Sequence, residues 1–321
     1  MTDIWLPLLA GLALLILGGD LLVRGSVRVA ERLGVSPLVI GLTLVGFGTS
    51  MPELVTSVQA ALAGSPGIAY GNIVGSNIAN ILLIVGASAI LFPIAIASQA
   101  LRRDAVVMLA VAVAFAGLAL LVPMSRLVGV AFLAVLCGYI YLAFRQESAG
   151  AVATKAAALE GVDPAVTPAA APRGGLAVPL GLAVGGLLMV VFGGSLLVSG
   201  AVALAESFGI PETVIGLTIV AIGTSMPELV TSIVAAVKRQ SDVAFGNIVG
   251  SNIYNILGIG GATALIAPGP VPEGIAAFDA LLMVGVSVAL VAFAATGLRI
   301  VRWEGAVLLA GYGAYVWAIW P

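Results

Sequence analysis

The sequence predicts an all-α membrane protein of ten transmembrane helices, arranged as two inverted repeats of five. Three observations carry that reading. The composition is too poor in charge for a water-facing surface, the apolar residues come in blocks of bilayer length, and the chain is internally duplicated.

Of the 321 residues, 61% are hydrophobic and 9% charged. Soluble domains carry roughly 25% charged residues. Blocks such as Ile4 to Val23, Val106 to Val122 and Leu281 to Ala295 approach the roughly 20 residues a helix needs to cross a bilayer. The first block runs directly into repeat sequence and reads as a mature helix rather than a cleaved signal peptide. The net charge of −2 provides no basic surface for nucleic acid. The single cysteine, Cys137, forms no internal disulfide or zinc cluster and reads as a small apolar packing residue. Histidine is absent. That excludes an HExxH metalloprotease, a Ser-His-Asp triad and a histidine proton switch. With no nucleophile–base pair either, the sequence does not read as an enzyme, and no cofactor or protein partner is implied.

The duplication is direct. Gly48 to Ser57 reads GTSMPELVTS, as does Gly223 to Ser232; Gly71 to Ile78 reads GNIVGSNI, as does Gly246 to Ile253. Both pairs are offset by 175 residues. The register extends upstream, where Ile40 to Thr43 matches Ile215 to Thr218 and Gly18-Gly19 matches Gly193-Gly194. The expected organisation is a first five-helix repeat at 1–145, a linker at 146–175 and a second, inverted repeat at 176–321. The linker is rich in Ala, Pro and Thr, too short for an ordinary domain.

The spans are expected near 4–30, 37–62, 68–91, 103–122 and 124–145, then 176–205, 211–238, 242–266, 276–297 and 302–320. Five is odd, so the second copy enters the membrane from the opposite side. With the N-terminus outside, all 13 Lys and Arg residues except Arg126 fall at cytoplasmic ends, a strong positive-inside bias. Both termini are then external and the linker cytoplasmic, in a multi-pass protein of the cell membrane.

Spans 2 and 7 each carry GTSMPE. A proline within a helix removes one backbone hydrogen bond and clashes with the carbonyl four residues back. Pro52 and Pro227 therefore break their helices near Gly48 and Gly223, freeing carbonyls around Val45 to Gly48 and Val220 to Gly223. At membrane depth such carbonyls need protein, water or a ligand. Thr49, Ser50, Thr224 and Ser225 add hydroxyls beside the break, and Glu53 and Glu228 add carboxylates. A charge at the bilayer centre costs ~3 kcal/mol on insertion scales, and this chain places one at equivalent positions in both copies. Inversion brings the two breaks together near the midplane as a dianionic, all-oxygen site. Calcium favours such cages, with about 6–8 oxygens. The spacing Ser50-x-x-Glu53 also fits a capping box with Pro52 in the first turn. A cap alone leaves unexplained an ionisable Glu rather than Gln in both copies, and the two roles can coexist in different states.

In spans 3 and 8 the glycines of GNIVGSNI fit close helix packing. Helical spacing puts Ser76 and Asn80 on one face, and likewise Ser251 and Asn255. These residues, with Asn72, Asn77, Asn247 and Asn252, either complete the oxygen site or hydrogen-bond between helices. Asp20 has Ser195 as its repeat equivalent and lies one turn before Arg24, which fits a local ion pair.

GTSMPE followed by GNIVGSN, present twice, resembles the alpha-repeats of the calcium/cation antiporter superfamily, in particular the compact prokaryotic sodium/calcium exchangers. The resemblance covers essentially the whole chain. It implies ten helices with broken helices 2, 3, 7 and 8 forming the ion-binding core. It implies Glu53 and Glu228 as central calcium ligands with oxygens from Thr49 and Thr224. It also implies sodium sites that share those glutamates with Ser50, Ser225, Ser76, Ser251 and carbonyls near Gly46 and Ala221. Ca²⁺ and Na⁺ are then the substrates, exchanged as spans 1 and 6 slide across the core. Some relatives carry aspartate where Asn80 or Asn255 stands, so this site holds two acidic groups and no third. The proton/calcium branch usually shows a GNxxE-type motif, often with histidine, and neither occurs here. H⁺/Ca²⁺ or other divalent-cation antiport on the same frame is the alternative.

Overall fold

The computed structural model describes residues 2–64, 66–160, 175–207 and 221–319. Its helices are α1 (Thr2–Leu33), α2a (Pro37–Thr49), α2b (Met51–Leu62), α3 (Pro66–Leu91), α4 (Ala100–Leu121), α5 (Arg126–Glu160), α6 (Ala177–Ser207), α7a (Ala221–Thr224), α7b (Met226–Val237), α8 (Ser241–Ile266), α9 (Ile275–Ala295) and α10 (Arg302–Ile319). Among the described residues seven helices are each long and apolar enough to cross a bilayer, and the bent pair α2a–α2b makes an eighth. With α7 and α10 the chain has ten spans. The expected first part of span 7, including Ile215 to Thr218 and the Val220 carbonyl, lies outside the described residues, as do positions 161–174 of the linker. α5 runs on to Glu160, so the segment read as linker begins as helix.

Two short pairings show the inversion. Strand β1 (Ile94–Ala95), after α3, pairs antiparallel with β2 (Arg299–Ile300), after α9. Met124, after α4, bridges Gly269, after α8. Spans that cross alternately put the first two connections on one face and the last two on the other. The connection after α3 and its repeat equivalent after α8 therefore lie on opposite faces. The same exchange recurs in two arginines. Arg302 Nε donates to the Ile90 carbonyl at the end of α3 (3.1 Å), and Arg126 Nε to the Leu265 carbonyl at the end of α8 (3.3 Å). Cations suit helix C-termini, whose last carbonyls lack helical partners. Arg126, the one exception to the charge bias, thus repeats the cap made by Arg302.

The centre and the periphery differ sharply. In α3 and α8, 78% and 89% of the apolar stretch is buried, against 22–39% in α1, α4, α5, α6 and α9. Cys137 on α5 is exposed, which corrects its reading as a packing residue: α5 is the least covered of these helices, and the thiol faces outward. α1 and α6 pack backbone to backbone through glycines at seven-residue intervals, Gly18 and Gly25 against Gly186 and Gly193. A Cβ on Gly25 would lie 2.3 Å from Ala183 N, and one on Gly186 would lie 2.3 Å from Leu22 N.

The helices are interrupted in two ways. α2 bends by 45° at Ser50, whose φ of −81° and ψ of 9° leave the helical region; Ser225 repeats this at −89° and 7°. In α3 and α8 the interruption is a wider π-helical turn, at Asn80–Val85 and Tyr254–Ile259. Such turns rotate the following side chains relative to an unbroken α-helix. π-Turns also open α4 and α9, at Ala100–Ala105 and Ile275–Asp279. There Asp104 accepts from Tyr139 of α5 (2.8 Å) and Asp279 from Tyr315 of α10 (3.0 Å). These ties hold the outer helices in matching places.

Candidate cation site

The two breaks face each other. After each break a new helix starts, with Pro52 or Pro227 in its first turn where no N–H is needed. Glu53 and Glu228 stand in that turn, each 1% exposed. Neither Ser50 nor Ser225 caps its own helix through its side chain. Instead each crosses to the other repeat: Ser50 Oγ donates to Glu228 Oε1 (2.9 Å) and Ser225 Oγ to Glu53 Oε1 (3.0 Å). The capping box is therefore not formed in this conformation. Each carboxylate keeps one oxygen, Oε2, buried with no hydrogen-bond partner among the described residues.

The other predicted residues surround this pair. Thr49 is fully buried; its hydroxyl lies 3.1 Å from Asn247 Oδ1, 3.1 Å from the Val45 carbonyl and 3.4 Å from that of Gly46. Thr224 is half-buried and its hydroxyl lies 3.5 Å from Asn72 Oδ1. Ser76 and Ser225 hydroxyls are 3.4 Å apart. Ser251 Oγ donates to the Gly46 carbonyl (3.3 Å), and a Cβ on Gly46 would sit 3.1 Å from Ser251 N; this close approach of α2a to α8 suits a residue without a side chain. Asn80 Nδ2 donates to Asn252 Oδ1 (3.1 Å), leaving Asn80 Oδ1 unpaired, and both amide atoms of Asn255 are unpaired. Ala221 opens α7a. Of the carbonyls expected to be freed in α2a, that of Gly46 also accepts from Ser50 N (3.2 Å).

Two residues have a clearer part in the structure than in the sequence. Asn72 Nδ2 donates to the Glu53 carbonyl (3.1 Å) and to Ser57 Oγ (2.9 Å); Asn247 Nδ2 donates to the Glu228 carbonyl (3.3 Å) and to Ser232 Oγ (2.9 Å). Ser57 and Ser232 were not singled out from the sequence. The signal was there: each closes the duplicated string one helical turn after its glutamate.

Chemically this is a buried cluster of oxygens with two carboxylates and, among the described residues, no cationic side chain in hydrogen-bond contact with them. Among the described residues no group of three or more acidic, His or Cys side chains could hold a metal. The donor set is thus two carboxylates with hydroxyls, amides and carbonyls, which is hard-cation chemistry.

The profile of the family described as "Sodium/calcium exchanger protein" matches residues 4–145 and 178–320. The chain belongs to that family. Relatives that match nearly full length include the putative antiporter CaxA of Alkalimonas amylolytica, 39% identical over 96% of this chain and 95% of the relative. The sodium/calcium exchanger MaX1 of Methanosarcina acetivorans is 36% identical over 98% of both chains. Among solved structures, the sodium-calcium exchanger NCX_Mj soaked with 10 mM Na⁺ and zero Ca²⁺ superposes with a TM-score of 0.83 at 32% identity, covering 98% of each chain. The sodium/calcium exchanger family is one of transporters, not a catalytic enzyme family.

Proposed function

We propose that this protein exchanges Na⁺ for Ca²⁺ across the membrane by alternating access at one shared site near the midplane. The observation that carries the proposal is the pair of oxygens, Glu53 Oε2 and Glu228 Oε2, each buried with no hydrogen-bond partner among the described residues, on carboxylates that each bond the serine at the opposite break. Two uncompensated carboxylates in a dry interior are costly. One divalent cation offsets both charges at once. Thr49 and Thr224 supply further oxygens for Ca²⁺. Ser50, Ser225, Ser76, Ser251, Asn80, Asn255 and the carbonyls at Gly46 and Ala221 extend the cluster so that Na⁺ ions occupy it in turn. Ca²⁺ and Na⁺ then compete for the same carboxylates, and that competition couples the two gradients. An empty dianionic site resists passage through the apolar barrier, which suppresses leak.

The positive-inside bias supports external termini and a cytoplasmic linker. The chain then divides into repeats at 1–145 and 176–321 with the linker at 146–175. The glycine-packed α1–α6 pair is the element that slides across the core.

The test is ⁴⁵Ca²⁺ uptake into sodium-loaded proteoliposomes. Glu53→Gln and Glu228→Gln each keep the shape and remove one charge, and each should lower uptake at least ~100-fold, the order expected for losing a charged ligand in a buried site. Uptake by both variants at the rate of the unmodified protein rejects the assignment. Sodium-independent uptake that follows an imposed pH gradient would assign H⁺ as the coupling ion instead.

A further inference from the structure

We infer that Asn72 and Asn247 are positioning residues, each tying the backbone of its own repeat's glutamate to the threonine of the other repeat. The inference rests on the cation site proposed above and concerns how its ligands are aimed.

An asparagine amide offers two N–H donors and an oxygen acceptor. In both copies all three functions are used. Asn72 gives its two donors to the Glu53 carbonyl and Ser57 Oγ, and its oxygen faces Thr224 Oγ1 at 3.5 Å. Asn247 gives its donors to the Glu228 carbonyl and Ser232 Oγ, and its oxygen accepts from Thr49 Oγ1 at 3.1 Å. The amide orientation is dictated chemically. A backbone carbonyl only accepts, so a flipped amide would set oxygen against oxygen. Where threonine and amide bond, the threonine is then the donor; the single Thr49 proton is shared between Asn247 Oδ1 and the Val45 carbonyl, each at 3.1 Å.

The consequence is a two-point hold on each glutamate. Ser225 fixes the Glu53 carboxylate through Oε1, while Asn72 fixes its backbone and links it to Thr224, the residue next to Ser225. Glu228 is held in the same way by Ser50 and, through Asn247, by Thr49. With the backbone and one carboxylate oxygen both pinned to the opposite break, the remaining oxygen has one direction in which to point. Asn72 and Asn247 need not touch the cation to set its affinity. An aspartate in either place would lose both donors and face a carbonyl. An alanine would leave the glutamate held at one point only.

The test is equilibrium ⁴⁵Ca²⁺ binding to the purified full-length protein in detergent, read as a double-mutant cycle. Asn247→Ala should weaken binding about tenfold, the order of losing a buried hydrogen-bonded tie. If the residue acts through Thr49, the same substitution in a Thr49→Ala background should cost less than about twofold. An asparagine that merely supports the fold would cost the same in both backgrounds. Equal costs, or no cost at all, overturn the inference. Should Asn247→Ala fail to fold, Ser232→Ala removes one of the three bonds from outside the cation cluster. It should give a loss of roughly two- to threefold with the same dependence on Thr49; an additive loss again overturns the inference. Glu228→Gln separates the two levels of the argument. If calcium binding does not respond to it, the site itself is wrong. If binding does respond while the asparagine and threonine effects simply add, only the tie is wrong.

Discussion

The two copies of GTSMPELVTS are identical in sequence and occupy different surroundings. α1 lies against α7b: a Cβ on Gly19 would meet Val234 at 3.2 Å and Val230 at 3.3 Å, and Lys238 at the end of α7b pairs with Asp20. The repeat equivalent of Gly19 is Gly194, and its nearest neighbours are Pro227 and Met226, again in span 7. On the other side Val55 of α2b is 51% exposed, whereas its equivalent Val230 is half-buried. The α1–α6 pair therefore covers α7b and leaves α2b more open, while α6 also reaches α2a, where a Cβ on Gly48 would lie 2.4 Å from Leu187. The copies differ at the α1–α7b contact. Asp20 corresponds to Ser195 and Lys238 to Ala63, so the ion pair has no counterpart in the second arrangement. The proposed cation site carries the same residues in both copies because its sequence is duplicated, and the charged pair in the scaffold around it is not duplicated.

This comparison treats α1 and α6 as one body, and its most damaging test is steric. Gly186→Leu would force a side chain into α1, where even a Cβ lies 2.3 Å from Leu22 N; at the adjacent Gly185 a Cβ meets nothing within 4 Å. Overpacking of this kind costs about 1–3 kcal/mol or more, and a Leu on an open helical face stays within ~0.5 kcal/mol. A clear fall in melting temperature for Gly186→Leu beside an unchanged Gly185→Leu is expected. Equal melting temperatures would mean that the two helices separate freely and do not lean as a unit.

Much of this was legible in the sequence, because duplication turned weak signals into strong ones. A single proline beside a glutamate is ambiguous; the same string at the same register in two inverted copies locates a helix break in each. Glu53, Glu228, Ser50 and Ser225 all belong to that string, and the crossed bonds bring them together. Sequence could not tell which serine serves which glutamate, since the capping box is a local pattern and the observed bonds span 178 and 172 residues. The π-turns at Asn80 and Tyr254 have no local signature, because they depend on how α3 and α8 pack rather than on propensity. The glycine intervals 18, 25 and 186, 193 were readable in principle, though only Gly18-Gly19 and Gly193-Gly194 were noticed as repeats. The outward face of Cys137 was not readable, since α5 is apolar on every side and its hydrophobic pattern carries no preferred face.

A smaller effect is expected at the ion pair itself. Asp20 also holds Arg24 (2.9 Å), and the Asp20 and Lys238 side chains are 32% and 27% exposed. A pair this open to solvent contributes roughly 0.5–1 kcal/mol, which shifts a two-state population about two- to fivefold. Asp20→Asn should therefore let the α1–α6 pair move toward α2b. The measurement is alkylation rate at single cysteines placed by Gln59→Cys or Val234→Cys, with the exposed native thiol removed by Cys137→Ala. Labelling at 59 should slow and at 234 quicken. Unchanged rates at both positions would remove the ion pair from the account of the asymmetry.

The smallest and sharpest effect is expected from moving the pair to the other copy. In the Asp20→Asn background, Ser195→Asp with Ala63→Lys places the same two charges on α6 and at the end of α2b. Both positions are exposed, so the gain is about 0.4 kcal/mol or less, and labelling should change by no more than about twofold further in the same direction. Ser195→Asp alone should do nothing. At 1 M salt the screening length falls to about 3 Å, and the added shift should vanish while that caused by packing persists. If the transplanted pair has no effect at low salt, the preference for span 7 lies in the apolar contact of Gly19 with Val230 and Val234. The charges at Asp20 and Lys238 would then follow the lean of the helices rather than cause it.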